Sequence, residues 1–392
     1  MSAVVAVPDR TSEDGLPGAS WLVSRFNSEL ESFLDEHAKL LVGLHPDLGL
    51  LADASRASVM FGGKRLRPTF VYWGWRTGQE PDAAGETALI RAAASLELLH
   101  ACALVHDDVL DSSDTRRGQP AAHIRFAREH CRQKWPGQSA AFGTAGAILL
   151  GDLLLSWAEE MFTAAISELP TDRSAPAIRQ FDLMRTEVVG GQFLDVLAQT
   201  RGAFDPVEAL RVIEFKTSKY TIQRPLLLGA AAAGASQQLL DVLAGYGRAL
   251  GEAFQLRDDL LGVFGDPSQT GKPAGDDLRE GKRTLLVALA VRAASDEQRA
   301  QLLAGVGNPD LDAAGVASLQ TILIATGARR AVEDRITDQA RRAENVLSSL
   351  TPDQVTDADE FNYAAGSGAG RISTAALTAL LDLAHAAAHR TF

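Results

Sequence analysis

The apolar and polar positions repeat with a helical period along nearly the whole chain. Trp21, Leu22, Phe26, Leu30, Phe33 and Leu34 recur at threes and fours, the spacing of one helix face. A break follows from Gly43 to Gly49. Residues 86–104 are rich in Ala and Leu, lack Pro and Gly, and read as one long helix. Further helices are expected over Ala145 to Phe162, Thr186 to Ala198, Pro225 to Ala235 and the amphipathic Leu239 to Leu261, then on to about Leu350. A last one runs from Thr374 to His389. Val, Ile and Thr rarely alternate with polar residues, so strands are not expected and the fold class is all-α. Residues 1–19 mix Gly, Pro, Ser and Asp and read as a disordered leader, and 351–370 as a polar tail.

Composition narrows the classes. The 392 residues are 46% apolar and 22% charged, an ordinary globular balance whose length alone suggests two or three domains. A net charge of −12 disfavours nucleic-acid binding. Cys102 and Cys131 make neither a disulfide framework nor a zinc spacing, and Cys102 reads as a small core residue. The first residues lack the basic start of a secretory signal, and no apolar run is expected to approach the ~18 residues of a spanning helix. A cytoplasmic protein without a transmembrane segment is expected. His37, His45 and His123 read as surface residues, and Trp73, Trp75 and Trp157 as core or interface.

The chemistry concentrates after the long helix, in Val105-His106-Asp107-Asp108-Val109-Leu110-Asp111-Ser112-Ser113-Asp114-Thr115-Arg116-Arg117-Gly118. Positions four apart share a helix face, so Asp107 and Asp111 point the same way, with His100, Ala103 and Leu104 continuing the stripe. Like charges so placed repel, and a hard divalent cation relieves them. Mg²⁺ uses one or two protein carboxylates and takes its other ligands from water and substrate phosphate. A second acidic cluster lies in Phe254-Gln255-Leu256-Arg257-Asp258-Asp259-Leu260-Leu261-Gly262. Gly62-Gly63-Lys64-Arg65-Leu66-Arg67-Pro68 is a flexible basic turn suited to a polyanion. Phe215-Lys216-Thr217-Ser218-Lys219-Tyr220 adds a Lys-Thr pair.

These motifs, with Gly190-Gly191-Gln192-Phe193-Leu194-Asp195 and Thr270-Gly271-Lys272-Pro273-Ala274-Gly275-Asp276-Asp277, stand in the order found in trans-isoprenyl diphosphate synthases (polyprenyl synthetases), which the chain resembles over about Gly62 to Lys282. The resemblance implies a single all-helical domain over 20–392, a bundle around a deep central cavity, with a homodimer and Mg²⁺ as partner and cofactor. It implies that Lys64, Arg67, His100 and Arg117 hold the diphosphate of isopentenyl diphosphate. Asp107, Asp111 and Asp258 would bind metal, with Asp108 beside them. Arg116, Lys216, Lys272 and Lys282 would hold the allylic diphosphate, and Thr217 and Gln255 would line the reacting end. The second motif departs from the pattern: Gly262 stands where an Asp is usual, and Asp266 or Asp276 is the expected substitute for binding a metal-bound water.

The same resemblance implies ionisation of the allylic C–O bond, attack by the isopentenyl double bond, and proton loss, the departing diphosphate being the expected base. The product would grow along the long helix away from Asp107. Cys102 and Ala103 are small, so the floor is expected one turn deeper at Leu98 and Leu99, giving a twenty-carbon product. Farnesyl (C15) and longer (C25 and above) products are the alternatives. A terpene cyclase and a non-catalytic partner subunit are remoter readings, because both acidic motifs and the basic turn are kept.

Overall fold

The computed structural model describes residues 19–78, 83–265, 275–350, 355–356 and 372–389. The leader expected over 1–19, Ala19 apart, and most of the polar tail lie outside them. The all-α expectation holds. Packing gathers the chain into two compact units, residues 1–72 with 81–178 and residues 73–80 with 179–392.

In the first unit, α1 (Ala19–Leu44) ends at the expected break, and a 3₁₀ turn (Pro46–Leu48) leads into α2 (Gly49–Met60). Then come α3, which begins at Leu66 and ends at Arg76, and the long α4 (Ala83–Leu110). A hairpin of β1 (Thr115–Arg116) and β2 (Gln119–Pro120) precedes α5 (Ala122–Arg132) and α6 (Ser139–Ile166). The stripe Leu22, Phe26, Leu30 and Leu34 is the buried face of α1. His37, expected at the surface, is buried on that face, stacked on Phe33 with Nδ1 donating to the Phe33 carbonyl at 2.9 Å. Helix α4 is apolar on most of its circumference and so becomes a core element, packed against α1 and α6. Gly151 of α6 makes that approach possible, since a Cβ there would overlap the His106 ring.

In the second unit, α7 (Thr171–Arg201) contributes its residues from 179 onward. It is followed by α8 (Pro206–Val212), a π-helix (Ile213–Gln223), α9 (Arg224–Ala232) and α10 (Gln237–Phe264). After α11 (Asp276–Arg279) come α12 (Leu285–Ala293), α13 (Asp296–Gly305), α14 (Ala313–Ala325), α15 (Ala328–Ser348), the strand pair β3 (Val355–Thr356) and β4 (Ile372–Ser373), and α16 (Thr374–His389). Side-chain caps start many of these helices: Asp205 for α8, Ser236 for α10, Thr284 for α12, and a Ser295–Gln298 capping box for α13. Helix α10 is central, packing on the π-helix, α15 and α16. Its Leu256, Leu260 and Val263 join Leu286, Leu323 and Ile336 in one core.

The expectation about apolar runs needs correction. Within α4 (Gly85–Leu110) and in α6, the helix is long and apolar enough to cross a membrane by length and composition. Single polar residues such as His100 and Asp152 interrupt the runs but leave their average high. Helix α4 is mostly buried, whereas α6 leaves Ile148, Leu149 and Leu155 exposed.

Candidate active site

The first motif sits at the C-terminal end of α4. The Asp111 amide donates to the Asp107 carbonyl at 2.8 Å, so the helical turn continues through the motif and both side chains remain on one stripe, half-buried. Asp108 is different. Expected beside them as a metal ligand, it is buried and taken up by Arg116, whose Nε donates to Oδ1 at 2.8 Å and whose Nη2 donates to the same oxygen. Neighbouring residues on a helix diverge, so Asp108 turns inward while Asp107 and Asp111 do not. Burial raises the Asp108 carboxyl above its ordinary range, against the pull of Arg116. Arg116, expected on the allylic diphosphate, is oriented by this contact, with Nη2 3.9 Å from Asp107 Oδ2.

The β1–β2 hairpin turns through Arg117 and Gly118, both at positive φ (51° and 74°), the backbone of a tight hairpin turn. This folds Arg117 back onto the basic turn, where Nη1 donates to the Phe61 carbonyl at 2.8 Å. Gly62 and Gly63, at φ 72° and 100°, form a turn that residues with a Cβ rarely adopt. Lys64 is exposed there and Arg67 half-buried. His100 belongs to the same group. Burial first, then the guanidinium charges of Arg67, Arg117, Arg116 and Arg65, hold its pKa well below the usual imidazole value. A neutral imidazole among four guanidinium groups is an environment for a polyanion, in which His100 contributes a hydrogen bond and no charge. The fold thus gathers Arg67 and Arg117 about His100, with Lys64 on the same basic turn as Arg67.

In the second unit, Lys216 and Thr217 lie half-buried on the π-helix. Gly191 of α7 packs against that backbone so closely that a Cβ would overlap the Lys216 amide. Lys216 Nζ donates to Asp195 Oδ2 at 2.7 Å. Asp195, the last residue of the Gly190–Asp195 motif, is a partner that the sequence reading does not identify. Its signal is a carboxylate one helical turn beyond the glycine that admits Lys216.

On α10, Asp258 is half-buried and Asp259 buried. Gln255 Nε2 donates to Asp259 Oδ1 at 2.7 Å, so Gln255 is held by the motif itself. Burial, together with the nearby Asp277 and Asp258 charges, pushes the Asp259 carboxyl up to about 7 despite the Gln255 bond. The room left by Gly262 is filled. A Cβ at that position would overlap the Asp277 carboxylate, and Lys282 Nζ donates to Asp277 Oδ1 at 2.8 Å and forms an ion pair with Glu280, 2.7 Å from its Oε2. The carboxylate that reaches Gly262 is thus Asp277, next to the expected Asp276. Burial works against the Lys282 ammonium, but Asp277 and Glu280 outweigh it and raise its pKa well above the ordinary lysine value. Lys272 and Asp266 lie outside the described residues.

Along α4, Leu98, Leu99 and Cys102 are buried and Ala103 half-buried. Burial, with Asp152 nearby, pushes the Cys102 thiol up to about 12, so it is a neutral filler and no nucleophile.

The donor chemistry fits a hard divalent cation. Among the described residues no compact group of three or more His, Cys, Asp or Glu forms a closed metal cage. Mg²⁺ needs only one or two carboxylates if phosphate and water complete its shell, and Asp107 with Asp111 offers such an open set.

Comparison with known proteins places these residues in context. The chain matches the family described as Polyprenyl synthetase over residues 49–323. It is 32% identical over 320 residues to the geranylfarnesyl diphosphate synthase of Aeropyrum pernix, covering 81% of this chain and 92% of that protein. It is 35% identical to the geranylgeranyl diphosphate synthase of Methanosarcina mazei, covering 67% and 72%. Among solved structures, geranylgeranyl pyrophosphate synthase from Corynebacterium glutamicum complexed with isoprenyl diphosphate and magnesium superposes with a TM-score of 0.85 at 37% identity, covering 95% of this chain and 99% of that one.

Proposed function

The chain belongs to the polyprenyl synthetase family and is a trans-prenyltransferase of isoprenyl chain elongation, and from that premise we propose that its main product is geranylgeranyl diphosphate. The single observation that carries the assignment of roles is the group of arginines around neutral His100 at the Gly62–Gly63 turn. In this reading Lys64, Arg67, His100 and Arg117 bind isopentenyl diphosphate. Lys216, Lys272 and Lys282, with Arg116 steadied by Asp108, bind the allylic diphosphate.

The family uses a divalent metal, and we take magnesium as that ion, with Asp107, Asp111 and Asp258 to hold it. When bound, it supplies Lewis-acid charge for the departing diphosphate. The chain's own cations do the rest of the electrostatic work. In this reading Asp195 holds Lys216 and Asp108 holds Arg116 before substrate arrives, so each would need little reorganisation as negative charge develops on the leaving group. Arg67, Lys64 and Arg117 orient the isopentenyl double bond for attack, and neutral His100 donates or accepts one hydrogen bond without adding repulsion between cations. Thr217 and Gln255 line the reacting end. The proton lost after bond formation passes to the departing diphosphate.

For product length, small Cys102 and Ala103 leave the first turn beyond Asp107 open, and Leu98 and Leu99 form the floor one turn deeper, ~5.4 Å further along the helix. A second reading, a twenty-five-carbon product, is favoured by the likeness to the Aeropyrum pernix protein. The same reading treats residues 20–392 as one cytoplasmic domain acting as a homodimer. The test is incubation with isopentenyl diphosphate, magnesium and each allylic primer, with products sized by mass spectrometry. Wild type should yield mainly twenty carbons and Ala103→Phe mainly fifteen. An unchanged profile in Ala103→Phe contradicts the floor. No elongation from any primer contradicts the reading as a whole.

A further inference from the structure

One buried ion pair has no part in the roles assigned above. Arg65 and Glu97 are each only 3% exposed at the side chain, and Arg65 Nη1 donates to Glu97 Oε2 at 2.7 Å. Arg65 Nε donates to Asn27 Oδ1 of α1 at 3.0 Å. Withdrawing two charges from water is costly, and such a pair is often no more stabilising than apolar side chains of the same volume. Its placement suggests another use. Arg65 lies in the basic turn between Lys64 and Arg67, at φ 51°, a left-handed conformation that a residue with a Cβ adopts only when its surroundings hold it there. Its carbonyl accepts the Thr69 amide at 3.1 Å and the Thr69 hydroxyl at 2.8 Å, closing the first turn of α3. Its Nη1 and that of Arg117 both lie against Gly63, 3.4 Å and 3.3 Å from where a Cβ would stand. The turn therefore gathers several guanidinium groups that repel one another, and Glu97, one turn before His100 on α4, sets a fixed negative charge beneath them.

We propose that Arg65 and Glu97 are a positioning pair for the basic turn. Glu97 is its resident counter-charge. Arg65 is the clamp that holds Lys64 and Arg67 in their anion-binding arrangement before any diphosphate arrives. This rests on reading that turn as the isopentenyl diphosphate site.

The test uses the full-length protein. Glu97→Gln keeps the shape and removes the charge. It should raise KM for isopentenyl diphosphate roughly tenfold, because a small misplacement of binding groups costs on that order, while KM for the allylic primer and kcat stay within about twofold. Asn27→Ala removes only the contact at Arg65 Nε. It should raise the same constant by less and leave the thermal midpoint unchanged. If Glu97→Gln fails to fold, Asn27→Ala decides alone. An Asn27→Ala variant with an unmoved KM for isopentenyl diphosphate, or either variant raising both KM values equally, overturns the positioning role. A wild-type protein that binds neither isopentenyl diphosphate nor primer overturns the underlying reading of the turn instead.

Discussion

At the scale of single residues, helix geometry decides which carboxylates of the first motif share a face. Asp107 and Asp111 keep to one stripe because four residues make about one helical turn. The inward turn of Asp108 follows from the same geometry but needs its partner, and Arg116 reaches it only through the hairpin. Asp277 was missed because it arrives at Gly262 from beyond a loop, and no periodicity links the two. That contact has a direct consequence. Gly262→Asp, which restores the usual residue of the motif, should destabilise the fold by about 2 kcal/mol, the common cost of overpacking, because Asp277 already fills the space and two carboxylates would meet. Adding Asp277→Gly should return most of the loss. Thermal midpoints of the single and double variants measure both effects, and additive losses would contradict the shared space.

At the scale of elements, the long α4, the α1 stripe and α10 were legible from apolar periodicity. The π-helix was not. Ile213–Gln223 has an ordinary helical composition, and its wide turn goes with tertiary contact: a Cβ on Gly191, Gly247 or Gly251 would collide with its backbone or with Ser218. Polar ties hold it as well. Glu187 of α7 accepts from Arg224 Nε and Nη2 at 2.7 Å each and from Lys219 Nζ at 3.0 Å, tying the second half of the segment and the residue that follows it to one carboxylate. Burial pushes the Glu187 pKa up, but these bonds outweigh it and leave it below the ordinary 4.5. A carboxylate with a depressed folded-state pKa contributes stability that is complete above its unfolded value and is lost as pH falls through the folded one. Glu187→Gln should therefore cost about 2 kcal/mol at pH 7, with the gap to wild type closing only below pH 4.5. Paired thermal melts across that range check it, and a gap independent of pH would contradict the ionic origin.

At the scale of the whole molecule, the family and the fold class were both within reach of the sequence, because the motifs recur in a fixed order and the strand signal is absent. The surface was harder to read. Apolar averages marked α4 and α6 alike, and only packing separates the mostly buried helix from the one that leaves Ile148, Leu149 and Leu155 exposed. An exposed apolar stripe of this kind suits a second copy of the chain. If the chain pairs as proposed, Leu149→Glu should shift it from dimer to monomer in light scattering, and a dimer that survives the substitution would move the interface elsewhere. The central claim is a division of labour between two cationic groups for two diphosphates, and steady-state kinetics of Arg67→Ala and Lys216→Ala test it most directly. Arg67→Ala should raise KM for isopentenyl diphosphate by about tenfold or more and leave the allylic KM within about twofold, while Lys216→Ala should do the reverse. Both variants raising both constants to the same extent would contradict the account.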